Sequence, residues 1–169
     1  MMRSWAVFDS PVQNALHTVK YRRNIGLADA LALQIIEFVR ELNWKVEILI
    51  PVPLGHSRLR ERGYNQVALV ARPLSYEFGI EYAPHGLKKV KDTRTQVGLN
   101  VAQRRENVRE AYQADPSVVN RRSVLIVDDV ATTGSTIESC THALILAGAA
   151  EVYAISFARA LSHHDLNRV

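Results

Sequence analysis

The run Val124-Leu125-Ile126-Val127-Asp128-Asp129-Val130-Ala131-Thr132-Thr133-Gly134-Ser135-Thr136 constrains the fold of this chain more than any other stretch. Four consecutive apolar residues suit a parallel strand covered on both faces. Two adjacent carboxylates at the end of such a strand are costly unless they meet hydroxyls, a cation or water. Residues 131–135 have no bulky side chain, so a ligand can approach their backbone. A helix is expected from about Thr136, and its free N–H groups and dipole favour an anion. An anion pocket beside a carboxylate pair calls for a phosphate at one end of a ligand and vicinal hydroxyls nearby, the shape of a ribose 5-phosphate.

The rest of the chain alternates in the same way. Ser10-Pro11 reads as an N-cap and first helical residue, followed by the stripe Val12, Ala15, Leu16 and Val19. A second helix is expected over about 27–42, burying Leu31, Ile35, Val39 and Leu42. Residues 46–52 read as a strand and 65–78 as a helix that Pro73 kinks or splits and Gly79 ends. Short extended pieces are expected at 80–82, 87–90 and 111–113, and a short helix over 100–108. A strand at 123–128, a helix at 136–147 and a strand at 151–157 complete the order, with a polar tail from Ala160. The class is therefore α/β, a central parallel sheet flanked by helices in a single domain over 1–169. Ligands in such sheets sit at the carboxyl ends of strands.

A second segment, from Pro51-Val52-Pro53-Leu54-Gly55-His56-Ser57-Arg58 to Gly63-Tyr64-Asn65-Gln66, follows one of those ends. It reads as a basic loop. Its arginines, Arg58, Arg60 and Arg62, need partners if buried, and guanidinium groups suit bidentate phosphate binding. The alternative is a solvated, proline-rich turn. Other clusters of positive charge are Lys88, Lys89 and Lys91, Arg104 with Arg105, and Arg121 with Arg122.

Composition narrows the partners. The formal net charge is +4 and the isoelectric point about 9.4, which agrees with a polyanionic ligand and also admits single-stranded DNA. The single cysteine, Cys140, forms no internal disulfide and no zinc cluster, so a reducing, cytoplasmic setting is expected. The opening residues 1–5 hold no apolar core of a secretory signal, and no apolar run approaches the roughly 20 residues of a membrane helix. A Walker A loop needs Gly-Lys-Ser/Thr, which is absent. A receiver domain needs further strands bearing an acceptor Asp and a Lys, and only 41 residues follow Asp128. His17 and His142 fall on helices and read as surface or core residues. Tyr21 and Tyr112 read as core packing, with base stacking the alternative.

All 13 positions of 124–136 resemble the phosphoribosyl-pyrophosphate (PRPP) motif of type I phosphoribosyltransferases. The string around 51–66 is similar to the signature of the ComF family of competence-related proteins, relatives of the amidophosphoribosyltransferases. Leu16 to Leu31, with Lys20-Tyr21-Arg22, is similar to that family's opening helix. Residues 91–99 with Arg104 to Val108 and Ala111-Tyr112 resemble its flexible loop. The resemblance spans about residues 7–158. It implies the type I phosphoribosyltransferase fold with a small N-terminal hood near 1–25. It implies that Ala131, Thr132, Thr133, Gly134, Ser135 and Thr136 cradle the 5-phosphate. Asp128 and Asp129 would hold the ribose hydroxyls and, through Mg-PRPP, the metal. Gly55, His56, Ser57 and Arg58 would face the pyrophosphate. Residues 91–99 would be a lid, with Lys91, Thr93 and Gln96 as its functional positions. Many family members begin with a four-cysteine zinc ribbon, which this sequence does not carry.

The implied activity is transfer of a phosphoribosyl group from PRPP to a nitrogen acceptor, with Mg²⁺ as cofactor. The alternatives are a PRPP sensor without turnover and a single-stranded-DNA-binding accessory of DNA uptake. The exposed helix faces also allow a homodimer.

Overall fold

In the computed structural model the described residues are 1–22, 24–91 and 111–160. Five parallel strands form the central sheet in the order β1-β7-β6-β2-β3. They are β1 (Met2–Val7), β2 (Ile48–Pro51), β3 (Glu81–Tyr82), β6 (Ser123–Ala131) and β7 (Glu151–Arg159). A separate antiparallel hairpin pairs β4 (Leu87–Lys89) with β5 (Tyr112–Ala114). The expected parallel α/β architecture is therefore present.

The central strands are apolar on both faces because both faces are covered. On one side α1 (Ser10–Arg22), α2 (Ile25–Leu42) and α4 (Gln66–Phe78) bring Leu16, Ile35, Val70 and Leu74 onto Leu49, Leu125, Val127 and Phe157. On the other, α6 (Ser135–Leu146), α5 (Pro116–Val119) and the hairpin bring Ile137, Leu144, Val119 and Leu87 onto Ile48, Ile50, Val124 and Ile126. The remaining helix, α3 (His56–Arg62), buries no side chain fully and lies past the carboxyl end of β2.

Several details depart from the sequence expectation. Asp9, not Ser10, caps α1: its carboxylate accepts from Val12 N at 3.3 Å and its carbonyl from Gln13 N. Met2–Val7 form the edge strand of the sheet, tied to β7 in part by the Ser4–Ser156 hydroxyl pair at 2.7 Å. The segment after Gly55 is a two-turn helix and not a loop. Gly63, at φ 74, stops it by sending its N–H back to Leu59 O. Helix α4 runs unbroken through Pro73, because Val70, Ala71 and Leu74 on either side are fully buried and hold both halves on the sheet. Strand β6 continues to Ala131, so the acid pair lies within the strand. The Ala160 N–H bonds Ala131 O. The short helix expected over 100–108, and the tail beyond Ala160, lie outside the described residues.

Candidate functional site

Residues 128 and 129 are successive in β6, so their side chains leave opposite faces of the sheet. Asp129 faces α1 and α4. Its Oδ2 is 2.6 Å from Lys20 Nζ and accepts from Gln66 Nε2 at 2.7 Å. Gln66 in turn accepts at Oε1 from Arg62 Nη1, 2.9 Å away. Asp128 faces the hairpin and α6, and only 9% of its surface is exposed.

Burial pushes the Asp128 carboxyl up to about 7, and the adjacent Asp129 charge adds to this. The Asp129 N–H donated to Asp128 Oδ1 at 2.9 Å and the Lys20 charge act the other way. Tyr112, from β5, lies near the same carboxyl. Burial raises its hydroxyl well above the ordinary phenol value, with Cys140 and Asp128 contributing. Arg58 and a side-chain hydrogen bond with Thr136 oppose the shift. Cys140, buried in α6, is also raised by burial first and by Asp128 second.

Asp128, Asp129 and Tyr112 line one cavity of about 170 Å³ at the carboxyl ends of β2 and β6. Of the residues expected from sequence, Gly55, Arg58, Asp128, Asp129 and Thr136 meet there. Arg62, one of the three arginines read as suited to phosphate, and Tyr112, read as core packing with base stacking the alternative, join them, as do Lys20, Gln66 and Lys89, which were not expected as site residues. Asn65 positions the segment after β2. It caps α4 by accepting from Val67 N at 3.1 Å, and its amide donates to Val52 O at 2.9 Å. The Tyr64 hydroxyl donates to Val19 O, which ties the end of α1 to the α3–α4 connection.

The 131–136 segment turns at Gly134, whose φ of 79 places it in the left-handed region as the N-cap of α6. A side chain there would meet nothing within 4 Å, so the loop's outer face is open. Thr133 Oγ1 donates to Ser135 Oγ at 3.0 Å. Thr132 and Thr133 are exposed, Ser135 is half-buried, and Ala131 is buried in the core on the α6 side. His56 and Ser57 are exposed on α3 and lie outside the acid-pair cavity. His56 lines an adjoining cavity of about 540 Å³ with Leu59 and His85. Lys91 is exposed at the end of the hairpin. Thr93 and Gln96, with the rest of the expected lid, lie outside the described residues. A roomier cavity of about 640 Å³ opens at the other end of the sheet, beside Val39, Trp44 and Phe78. It holds none of the candidate site residues, and the acid pair, Arg58 and Thr136 converge on the smaller cavity.

Comparison with known proteins agrees with this fold. Residues 64–166 match the family described as phosphoribosyl transferase domain. The chain is 40% identical over 116 residues to competence protein F of Haemophilus influenzae, covering 68% of this chain and 51% of that protein. It is 32% identical over 161 residues to DNA utilization protein YhgH of Escherichia coli O157:H7, covering 92% and 70%. The chain thus spans about half the length of the first relative. Glutamine PRPP amidotransferase from B. subtilis superposes with a TM-score of 0.56 at 24% identity, over 78% of this chain and 26% of that one. Adenine phosphoribosyltransferase from Thermoanaerobacter pseudethanolicus does so with a TM-score of 0.50 at 15% identity, over 81% and 83%.

Proposed function

This chain belongs to the phosphoribosyl transferase domain family and, within it, to the ComF proteins, and on that premise we propose that it binds PRPP with magnesium and transfers the phosphoribosyl group to a nitrogen acceptor. The observation that carries the reading is the convergence of Asp128, Asp129, Arg58 and Thr136 on one cavity at the strand ends.

In this reading the α6 N-terminus and the 131–136 loop take the 5-phosphate, because helix N-termini favour anions. Asp128 and Asp129 accept hydrogen bonds from the ribose hydroxyls. Gly55 and Arg58 face the pyrophosphate from the cavity wall, with His56 and Ser57 beside them on α3, and Lys91, Thr93 and Gln96 belong to the covering lid. The lone pair of the acceptor nitrogen forms the new bond to C1 of the ribose. The C1–oxygen bond breaks with inversion, pyrophosphate leaves with the electron pair, and the nitrogen loses its proton. Either carboxylate can take that proton. Positive groups near the leaving oxygens stabilise the charge that develops there.

The donor set fits magnesium. Among the described residues no group of three or more His, Cys, Asp or Glu could hold a metal by itself. Two carboxylates beside a polyphosphate are the setting magnesium takes, since it keeps several waters and uses substrate phosphates. Bound there, it would neutralise the leaving pyrophosphate.

Calorimetric titration with PRPP and Mg²⁺ tests the reading. The parent protein is expected to bind, and a variant with Asp128→Asn and Asp129→Asn is not. Absence of binding by the parent sinks it.

The relatives named for competence and DNA utilization favour a second reading, a single-stranded-DNA-binding accessory. The exposed arginines Arg58 and Arg60 of α3 support it. Salt-dependent DNA binding that PRPP competes away is its signature. The buried lone cysteine suits the cytoplasm, and no helix among the described residues is long and apolar enough to cross a membrane. The exposed Leu33 on α2 supports a homodimer, which sedimentation would read.

A further inference from the structure

The cavity beside Asp129 carries more positive charge than Arg58, the one cation among the residues assigned above to the pyrophosphate, supplies. Arg58 and Arg62 stand four residues apart on α3, so they share one face of that helix, and both line the cavity together with Lys20 of α1. Arg62 is only partly satisfied. Its Nη1 donates to Gln66, its Nη2 reaches the Tyr21 hydroxyl at 3.4 Å, and its guanidinium lies 5.1 Å over the Tyr21 ring. Its Nε is buried and meets no acceptor among the described residues. A buried donor left without an acceptor is unfavourable and calls for a partner from outside the chain.

Lys20 has a partner, but that partner is the carboxylate assigned above to the ligand. Its ammonium sits on Asp129 Oδ2, where a ribose hydroxyl would have to bind. Without that ammonium, two adjacent carboxylates would repel an incoming anion. Once a hydroxyl takes the carboxylate, the ammonium stays beside the ligand, because the Tyr64 hydroxyl anchors α1 at Val19, one residue before it.

Resting on the PRPP reading, we infer that Lys20 and Arg62 are further substrate-positioning residues, a cationic pair on the Asp129 side of β6 that receives the ligand's diphosphate, with Lys20 passing from Asp129 to the ligand. Arg62 offers its buried Nε, and Lys20 offers a mobile point charge. The planar fork suits a fixed oxygen and the flexible ammonium suits one that arrives. Neither residue lies in the 124–136 motif or in 53–58.

The probe is inorganic pyrophosphate with Mg²⁺, which needs no ribose contact, titrated by calorimetry. Lys20→Met and Arg62→Met are each expected to weaken binding about tenfold, the scale of a lost charge-assisted contact. Lys20→Arg should keep most of the affinity, and Arg62→Lys, which keeps the charge and loses the fork, should fall between. The deciding measurement is Lys20→Met placed in an Asp129→Asn background. There Lys20 has no ion pair to leave, so its removal should weaken binding by a larger factor than in the parent. A role confined to holding Asp129 predicts the reverse, a loss that vanishes with Asp129. Unchanged affinity in Lys20→Met, or a loss that vanishes in Asp129→Asn, overturns the inference. A parallel PRPP titration of the parent separates the two levels. Binding of PRPP with no effect of Lys20→Met retires the cationic pair and leaves the function. Binding of pyrophosphate but not PRPP retires the function and keeps an anion face. Binding of neither retires both.

Discussion

Asp128 and Asp129 are bonded neighbours that live in different environments. The Asp129 carboxylate has an ammonium and an amide on one oxygen. The Asp128 carboxyl is buried on the far side of the sheet near a tyrosine and a cysteine. The sheet's alternation produces this split, since one residue's advance along β6 reverses the face. A carboxylate pair that looks equivalent in sequence therefore meets different partners on the two faces of the sheet.

This asymmetry gives a pH dependence. The folded state raises Asp128 from 3.8 to about 7, so the protonated carboxyl is the form that folding favours. That stabilisation is complete below the unfolded value near 4 and is lost as pH rises through about 7. At full extent it is on the order of 4 kcal/mol. Asp128→Asn, which keeps an acceptor for the Asp129 N–H, should melt higher than the parent at pH 8. The gap should close toward pH 4. Thermal melts at four or five pH values check this, and a gap that widens on acidification contradicts it.

Gln66 links Arg62 to Asp129 from a buried position, 4% exposed. Gln66→Met keeps the volume and removes both hydrogen bonds. Arg62 Nη1 loses its acceptor and Asp129 loses one of its three donors, the others being Lys20 Nζ and the Val130 N–H. The expected result is a stability loss of about 1–3 kcal/mol, with PRPP·Mg affinity reduced roughly tenfold. Denaturant unfolding and calorimetry measure the two effects separately.

The strands other than β1, and most helices, were legible because their apolar periods are strong and uninterrupted. The acid pair and the loop after it were legible because they are contiguous. Lys20, Gln66 and Tyr112 were not, since only the packing of α1, α4 and the hairpin on β6 brings them to one point. Arg62 had a readable signal. Residues 56–62 contain good helix formers and end at a glycine, and helical spacing would have put Arg58 and Arg62 on one face. The prolines at 51 and 53 argued for a loop instead. They fall before the helix, where proline does no harm.

Gly148 tests the far end of β6. Its φ of 91 lies in the region that side chains avoid, and an added Cβ would come within 2.5 Å of Asn120 Oδ1. Its carbonyl also accepts from Arg121 N at 2.7 Å, fixing the turn into β6. Asn120 can rotate away, but the backbone strain stays. Gly148→Ala should destabilise by about 1–2 kcal/mol, lowering the melting temperature by several degrees. PRPP·Mg affinity should be unchanged, because the turn lies at the Ser123 end of the strand. An affinity loss larger than about twofold would mean that this end communicates with the site.

Tyr112 joins the two halves of the proposed ligand site. Its ring comes from β5, it lines the cavity together with Thr136 in the first turn of α6, and Asp128 and Thr136 both lie close enough to shift its hydroxyl. Lys89 Nζ sits 5.7 Å from the ring centroid. The tyrosine thus sets where the α6 N-terminus stands relative to the acid pair. Tyr112→Phe removes only the hydroxyl. The ring still fills its place beside the core, so the stability change should stay within about 1.5 kcal/mol, that of one hydrogen bond. If the hydroxyl positions the phosphate loop, ribose 5-phosphate should bind several-fold more weakly, while inorganic pyrophosphate, which needs only the cationic side, should bind as before. Equal losses for both probes would mean that the tyrosine supports the whole cavity and has no particular tie to the phosphate loop. Competition titrations with the two probes on one protein preparation distinguish these outcomes.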